Sequence, residues 1–379
     1  MKKVCIVSVV GARPNFMKIA PVLRELSKHN RFQSCLLHTG QHYDESMSRV
    51  FFRDLGMPNP DFNLDVGSAS HAVQTAEIMK GFEQVCDRVR PDLVIVAGDV
   101  NSTLACSLTA AKLQILVAHI EAGLRSFDRS MPEEINRIVT DSVSDLLFTT
   151  EESGNRNLRR EGIAEEKIYF AGNTMIDSLV FCHRMLDEIP LDGLLSCITQ
   201  CPYFIATIHR PSNVDNLEKL SEVLQILQSA SQLAAVLFVT HPRTRDRLQR
   251  LGTVNNLTEL DGNLQNIQSG FIYLVPPLPY MEFLGLLSRC KGVLTDSGGI
   301  QEETTFLNIP CLTLRENTER PITVELGSNE IVGLDKKKIA SGLSCIITDR
   351  WKKGTTPPLW DGRAAERIVK TLMNAFGAE

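Results

Sequence analysis

The segment Asp296-Ser297-Gly298-Gly299-Ile300-Gln301-Glu302-Glu303 joins a short apolar run, Gly292-Val293-Leu294-Thr295, to a helical pattern over residues 302–307. A buried strand that ends in Ser-Gly-Gly at a helix N-terminus offers backbone N–H groups and the positive end of a dipole. Glycines let an anion come close to that backbone. The segment is therefore a candidate phosphate cradle, with acids one turn later in reach of sugar hydroxyls. The same residues also suit an ordinary strand-to-helix turn capped by Asp296 and Ser297, so the other polar residues carry weight.

Carboxylates recur at strand ends. In Asp99-Val100-Asn101-Ser102-Thr103, Asp99 reads equally as a helix cap or as an acid–base group. Glu121, in His119-Ile120-Glu121-Ala122-Gly123-Leu124-Arg125, stands where a strand turns into a glycine-bearing loop and has no evident cap to make. Glu133 and Glu134 follow Pro132, where first-turn acids also suit the helix dipole. Three carboxylates in one cleft would raise one another's pKa and supply a general base near neutral pH.

Basic groups come from both halves. Arg13 and Lys18 flank the entry to the first helix, and Arg210, Arg243, Arg315 and Arg320 lie in the second half. Most arginines are solvated surface groups, but Arg13 and Arg320 each precede a proline in a loop after a strand. His209 follows the apolar run Phe204-Ile205-Ala206-Thr207-Ile208 and is expected at a strand end facing the cleft, with a supporting core role as the alternative. Phe283, in Pro277-Leu278-Pro279-Tyr280-Met281-Glu282-Phe283, suits either a stacking platform or the core, and periodicity alone favours the core.

Length and composition bound these readings. The 379 residues suffice for two domains, and 43% hydrophobic with 22% charged residues is ordinary for a globular chain. A net charge of −5 gives no electrostatic case for nucleic acid or an anionic membrane. The ten cysteines include no CxxC pair. Cys5, Cys106 and Cys311 sit in apolar runs as small core residues, and Cys197 and Cys201 lack partners at zinc-site spacing. Residues 4–10 read as a first strand rather than a leader, because Arg13 and Lys18 follow at once without a cleavage site. The expected compartment is a reducing cytoplasm, and no apolar run approaches a membrane span.

Apolar runs at 4–10, 34–38, 93–97, 115–118, 146–149 and 168–171 alternate with helical patterns at 19–28, 72–88 and 102–112. A second series of strands follows at 203–207, 235–240, 271–274, 292–295 and 310–314, with a helical pattern at 217–228. Continuous apolar strands separated by helices predict parallel sheets covered on both faces. The expected fold is α/β, with two Rossmann-like doubly wound domains facing a cleft. The boundaries are residues 1–172 plus 363–379 for the first domain and 173–362 for the second. Polar clusters fall at the strand ends, where ligands of such sheets bind: Gly11-Ala12-Arg13, Gly40-Gln41-His42, Gly98-Asp99, His119-Ile120-Glu121, His209-Arg210, His241-Pro242 and the 296–299 cradle.

With Gly11-Ala12-Arg13-Pro14, Pro132-Glu133-Glu134-Ile135-Asn136-Arg137, Gly172-Asn173-Thr174-Met175-Ile176-Asp177 and Thr318-Glu319-Arg320-Pro321, these motifs make the chain resemble the non-hydrolysing UDP-N-acetylglucosamine 2-epimerases over nearly its whole length. The resemblance implies a GT-B-like domain pair and reversible inversion at C2 of a UDP-linked N-acetyl sugar, without cofactor or metal. It implies acid–base roles for Asp99, Glu121 and Glu133, and stabilisation of departing diphosphate by His209. Ser297, Gly298 and Gly299 would hold phosphate, Glu303 the ribose and Phe283 the uracil, with Arg13, Lys18 and Arg320 as further anion contacts. A homodimer is implied as well.

The sequence departs from the family pattern at Asn15, where many members carry Glu, and at Pro211-Ser212-Asn213 after His209-Arg210. Tyr43 stands where an arginine serves allosteric substrate binding, which puts that activation in doubt. Segments 39–47 and 121–127 resemble relatives acting on UDP-2,3-diacetamido-glucuronic acid. A hydrolysing relative releasing free N-acetylmannosamine and UDP is a further reading. A silent UDP-sugar sensor would have no need of three cleft carboxylates.

Overall fold

The computed structural model describes residues 3–40, 52–186, 201–240, 242–251, 257–260 and 267–377, without the side chains of 13, 242 and 243. Gln41, His42 and Tyr43, Cys197 and His241 thus lie outside the described residues. Contacts divide the chain into two units: Met1–Cys182 with Pro358–Glu379, and His183–Pro357.

The first unit is built on seven strands: β1 (Val4–Val10), β2 (Phe32–His38), β3 (Phe62–Asn63), β4 (Leu93–Ala97), β5 (Leu116–Ala122), β6 (Leu146–Thr149) and β7 (Ile168–Phe170). They form one parallel sheet in the order β3-β2-β1-β4-β5-β6-β7. The order reverses between β1 and β4, the switch point at which such sheets open a crevice. Intervening helices are α1 (Arg13–Leu26), α2 (His71–Val89), α3 (Asn101–Lys112), α4 (Pro132–Val143), α5 (Glu152–Arg160) and α6 (Thr174–Leu186). Val7, Val9, Leu37, Val94, Val96 and Val117 of the strands pack on Ile78, Phe82 and Val85 of α2 and on Ala105 and Ala110 of α3. Each fully buried side chain of this kind contributes about 1.5–3 kcal/mol.

Two features differ from the sequence expectation. The first helix begins at Arg13, not residue 19, because Asn15 accepts the Ala12 N–H (3.2 Å) and donates to Ala97 O (2.6 Å), satisfying the polar entry. Lys18 is therefore within the helix. The strand expected at 115–118 runs on through Glu121 to Ala122, with a register slip between Ile120 and Ala122 and Glu121 at φ 70°.

The second unit repeats the design. Its strands are β8 (Tyr203–Thr207), β9 (Ala235–Val239), β10 (Leu257–Glu259), β11 (Ile272–Val275), β12 (Gly292–Thr295), β13 (Cys311–Thr313) and β14 (Asn329–Ile331), all parallel, in the order β10-β11-β9-β8-β12-β13-β14. The switch point lies between β8 and β12. Helices α7 (Leu217–Ser231), α8 (Pro242–Leu251), α9 (Tyr280–Leu287), α10 (Gly298–Leu307) and α11 (Lys336–Ile347) connect the strands. Leu220, Val223 and Leu227 of α7 and Ile339, Leu343 and Ile346 of α11 share a core with Phe204, Val236, Phe238, Leu294 and Leu312.

The last helix, α12 (Ala364–Ala375), belongs to the first unit. Asp177 of α6 accepts from the Ala364 and Ala365 N–H groups (3.0 and 2.7 Å), capping α12, and the fully buried Trp360 donates to Thr150 O (3.0 Å). The sequence pattern placed the domain change before α6, but most of that helix packs with the first unit, where Ser178 Oγ donates to Met17 O at 2.6 Å.

Candidate active site

In the first unit the functional side chains gather beyond β1, β4 and β5. Gly98 follows β4 at φ 67°, and a Cβ there would lie 2.7 Å from Lys18 Nζ. A side chain at 98 would displace the ammonium, so glycine serves both the turn and the approach. Lys18 Nζ reaches Glu121 Oε1 at 2.7 Å, with side chains 5% and 3% exposed. Lys18, expected as an anion contact, is thus the buried counterion of Glu121. Removing either partner would take a close counterion from a buried charge.

His119, wholly buried, places Nδ1 2.7 Å from Asp141 Oδ1 and Nε2 2.9 Å from Gly98 O. Asp141 Oδ2 also accepts the Gly123 N–H (3.0 Å) and faces Arg125 Nη2 at 2.7 Å. Burial opposes the Asp141 charge, yet His119 and Arg125 hold its carboxyl below the usual range. The network fixes the turn around Glu121, a residue whose left-handed backbone is itself held in a sparsely populated conformation.

Asp99 is 23% exposed at its side chain, with Arg137 Nη1 2.5 Å from Oδ2. Glu133 is exposed on the first turn of α4, whereas its neighbour Glu134 is buried. Arg13 opens α1.

In the second unit, β8 and β12 run side by side. Asp296, after β12, is fully buried and organises the loop after β8. Its carboxylate accepts the N–H of His209 (3.1 Å) and Arg210 (3.0 Å) and the Asn213 side-chain amide (3.0 Å). His209 is thereby presented half-exposed, with Nδ1 3.3 Å from Asp296 Oδ1.

Ser297 caps α10 through its backbone, with no side-chain bond to the helix. The first-turn N–H groups at Gly298 and Gly299 have no acceptor within a helix, which leaves them directed outward. A Cβ on Gly298 would sit 2.7 Å from Glu319 Oε1 and 2.8 Å from Arg320 Nη1. Arg320 pairs with Glu302 (2.8 Å) and Glu319 (2.8 Å), Arg315 with Glu319 (2.8 Å), and Arg210 approaches Glu319 at 3.4 Å. Despite burial, Arg320, Arg315 and Arg210 hold the Glu319 carboxyl well below the usual range. Arg210, Arg315 and Arg320 thus gather with Glu302, Glu319 and Asp296 around the first turn of α10. Glu303 is buried and accepts from Tyr280 Oη at 3.0 Å, while Phe283 is half-buried on the same helix as Tyr280, α9.

The sequence reading weighed Glu134 only as a first-turn acid beside Glu133, and it gave no role to Arg137, Asp141, Glu319 or Tyr280, nor to Asp296 as an organiser. The i, i+3 spacing of Glu134 and Arg137 was the available signal, since such pairs share a helix face. Among the described residues no group of His, Cys, Asp and Glu could hold a metal ion, and no helix is long and apolar enough to cross a membrane.

Two doubly wound parallel sheets, one carrying a glycine-rich helix start at its switch point and the other carboxylates paired with buried cations, define a GT-B-like enzyme. More narrowly, the chain belongs to the UDP-N-acetylglucosamine 2-epimerase family, whose model matches residues 24–373. It is 41% identical to a UDP-N-acetylglucosamine 2-epimerase of Methanocaldococcus jannaschii, covering 96% of this chain and 97% of the relative. The crystal structure of the enzyme from that organism in complex with UDP-GlcNAc and UDP superposes with a TM-score of 0.86 over 98% of this chain and 99% of that one, at 39% identity. A UDP-2,3-diacetamido-2,3-dideoxy-D-glucuronate 2-epimerase of Pseudomonas aeruginosa is 39% identical over 88% of this chain and 90% of the relative. The calicheamicin glycosyltransferase CalG4, at 12% identity and a TM-score of 0.52 over 100% of this chain and 99% of that one, shares the fold.

Proposed function

We propose that the protein is a non-hydrolysing UDP-GlcNAc 2-epimerase, interconverting UDP-GlcNAc and UDP-N-acetylmannosamine. The observation that supports it most is the pairing of Asp99 with Arg137 and of Glu121 with Lys18 beside the first switch point. The cations keep these strand-end carboxylates ionised and fixed in place, the form in which a carboxylate can accept a proton. In this reading the second unit holds UDP: Ser297, Gly298 and Gly299 the phosphates, Glu303 the ribose and Phe283 the uracil. Arg320 and Arg13 are further anion contacts.

The first unit supplies the acid–base groups Asp99, Glu121 and Glu133. One carboxylate removes the C2 proton while the C1–O bond breaks and its electron pair leaves with UDP, giving a C1=C2 glycal. His209 and the α10 N–H groups meet the charge that develops on the diphosphate. A proton then returns to the opposite face of C2 and UDP re-adds at C1. Lys18 acts through Glu121, holding its carboxylate in place. The enzyme is expected in the cytoplasm as a homodimer, which size-exclusion chromatography with light scattering would check.

The test is purified protein incubated with UDP-GlcNAc and no added cofactor, with products separated by anion exchange. UDP-N-acetylmannosamine supports the reading. Free N-acetylmannosamine plus UDP would replace it with hydrolysing chemistry. The likeness to the Pseudomonas aeruginosa relative favours a second substrate, and turnover restricted to UDP-2,3-diacetamido-glucuronic acid would transfer the activity to that sugar.

A further inference from the structure

Glu134 and Arg137 have no part in the reaction as described, and both are buried, at 1% and 2% exposure. Burying two charges costs several kcal/mol per ion, and a well-packed apolar pair is often as stable. Their geometry gives a reason for keeping them. Arg137 Nε and Nη2 reach Glu134 Oε2 at 3.0 and 2.6 Å, while Nη1 reaches Asp99 Oδ2 at 2.5 Å. The adjacent Asn136 donates to the Asp99 carbonyl at 2.8 Å. Asp99 is thus gripped at side chain and backbone by consecutive residues of α4, the helix whose first turn presents Glu133 outward.

Glu134 fixes the preceding loop as well. Its Oε2 accepts the N–H and Oγ–H of Ser126 (2.9 and 3.0 Å), and its Oε1 accepts the Phe127 N–H (2.9 Å). Phe127 has φ 58° and is 75% exposed, so that loop is held in a conformation the residue itself disfavours. These bonds hold the Glu134 carboxyl below the usual range although burial opposes its charge.

We propose that Glu134 and Arg137 are positioning residues that lock Asp99 and Glu133 at a set separation, an inference that rests on the epimerase reading. The planar guanidinium suits this role because its fork engages two carboxylates at once, which an ammonium does less well. A carboxylate displaced by about 1 Å costs roughly 100-fold in rate.

The experiment compares wild type, Arg137→Lys and the double variant Glu134→Gln/Arg137→Gln, in which both buried charges go together. Calorimetric titration with UDP counts folded binding sites, and kcat and KM for UDP-GlcNAc are then expressed per site. The double variant is expected to keep UDP affinity and KM within about threefold while kcat per site falls about 100-fold, with Arg137→Lys intermediate. A merely structural role would lower the number of sites and leave kcat per site unchanged, and that result overturns the proposal. Should the double variant not fold, Arg137→Lys decides: a kcat per site within about twofold of wild type overturns the proposal, and a loss of about tenfold at unchanged KM supports it. An inactive wild type would instead bring down the epimerase reading itself.

Discussion

Each switch point carries an aspartate just past a strand, Asp99 following Gly98 after β4 and Asp296 directly after β12, yet the two residues are differently held. Asp99 keeps part of its side chain exposed and meets a cation on one oxygen. Asp296 is fully buried, and donors from residues 209–213 occupy its carboxylate. The first is the proposed proton-transfer group, and the second holds the loop that carries His209. The same residue type just past a strand thus differs first in burial, Asp99 keeping 23% of its side chain exposed and Asp296 none.

The largest expected effect comes from Asp99→Asn. It should lower kcat by about 1,000-fold or more with UDP affinity unchanged, in steady-state kinetics beside UDP titration. Full activity in this variant would erase the contrast between the two aspartates. Lys18→Met leaves Glu121 buried without its cation and should cost about 3 kcal/mol or more by urea denaturation. Adding Glu121→Gln should recover most of that stability.

At the second switch point, Asp296→Asn puts an amide against N–H donors. It should cost about 2–3 kcal/mol of stability and disturb His209, weakening UDP binding, where Asp99→Asn does neither. Gly298→Ala drives a Cβ against Glu319 and Arg320 and should raise KM and the UDP dissociation constant by about 10-fold, with a smaller change in kcat.

The smallest effect concerns Asp177, remote from either switch point. Burial raises its carboxyl to about 6 from 3.8, the Ala365 and Ala364 N–H groups opposing this in part. Between those values the folded protein binds a proton that the unfolded chain does not. Its contribution is therefore full below the unfolded value and lost as pH rises through about 6. Between pH 7 and pH 5, wild type should gain on the order of 1 kcal/mol relative to Asp177→Asn in urea midpoints, and parallel profiles would contradict the assignment.

The strands at 93–97, 203–207 and 292–295 were legible because each is a continuous apolar run between turn residues. β3, β10 and β14 were not, being edge strands of two or three residues with no period to read. The strand-end rule pointed to Asp99, Glu121, His209 and residues 297–299 as candidates from polar residues after apolar runs, and the structure places each just past or at the end of a strand. It could not separate Glu133 from Glu134, identical neighbours of which the first is exposed and the second buried on α4, nor assign Lys18 to the interior, since lysine is so seldom buried. Partnerships such as Arg137 with Asp99 join residues far apart in sequence and emerge only when the sheet sets β4 beside β5.

The most direct test of the proton-transfer account is epimerisation in deuterated water, followed at C2 by proton NMR from UDP-GlcNAc. The account predicts UDP-N-acetylmannosamine carrying deuterium at C2, since the proton removed by one carboxylate is replaced from a solvent-exchanged group. Epimerised product that retains its original C2 proton after many turnovers would contradict it.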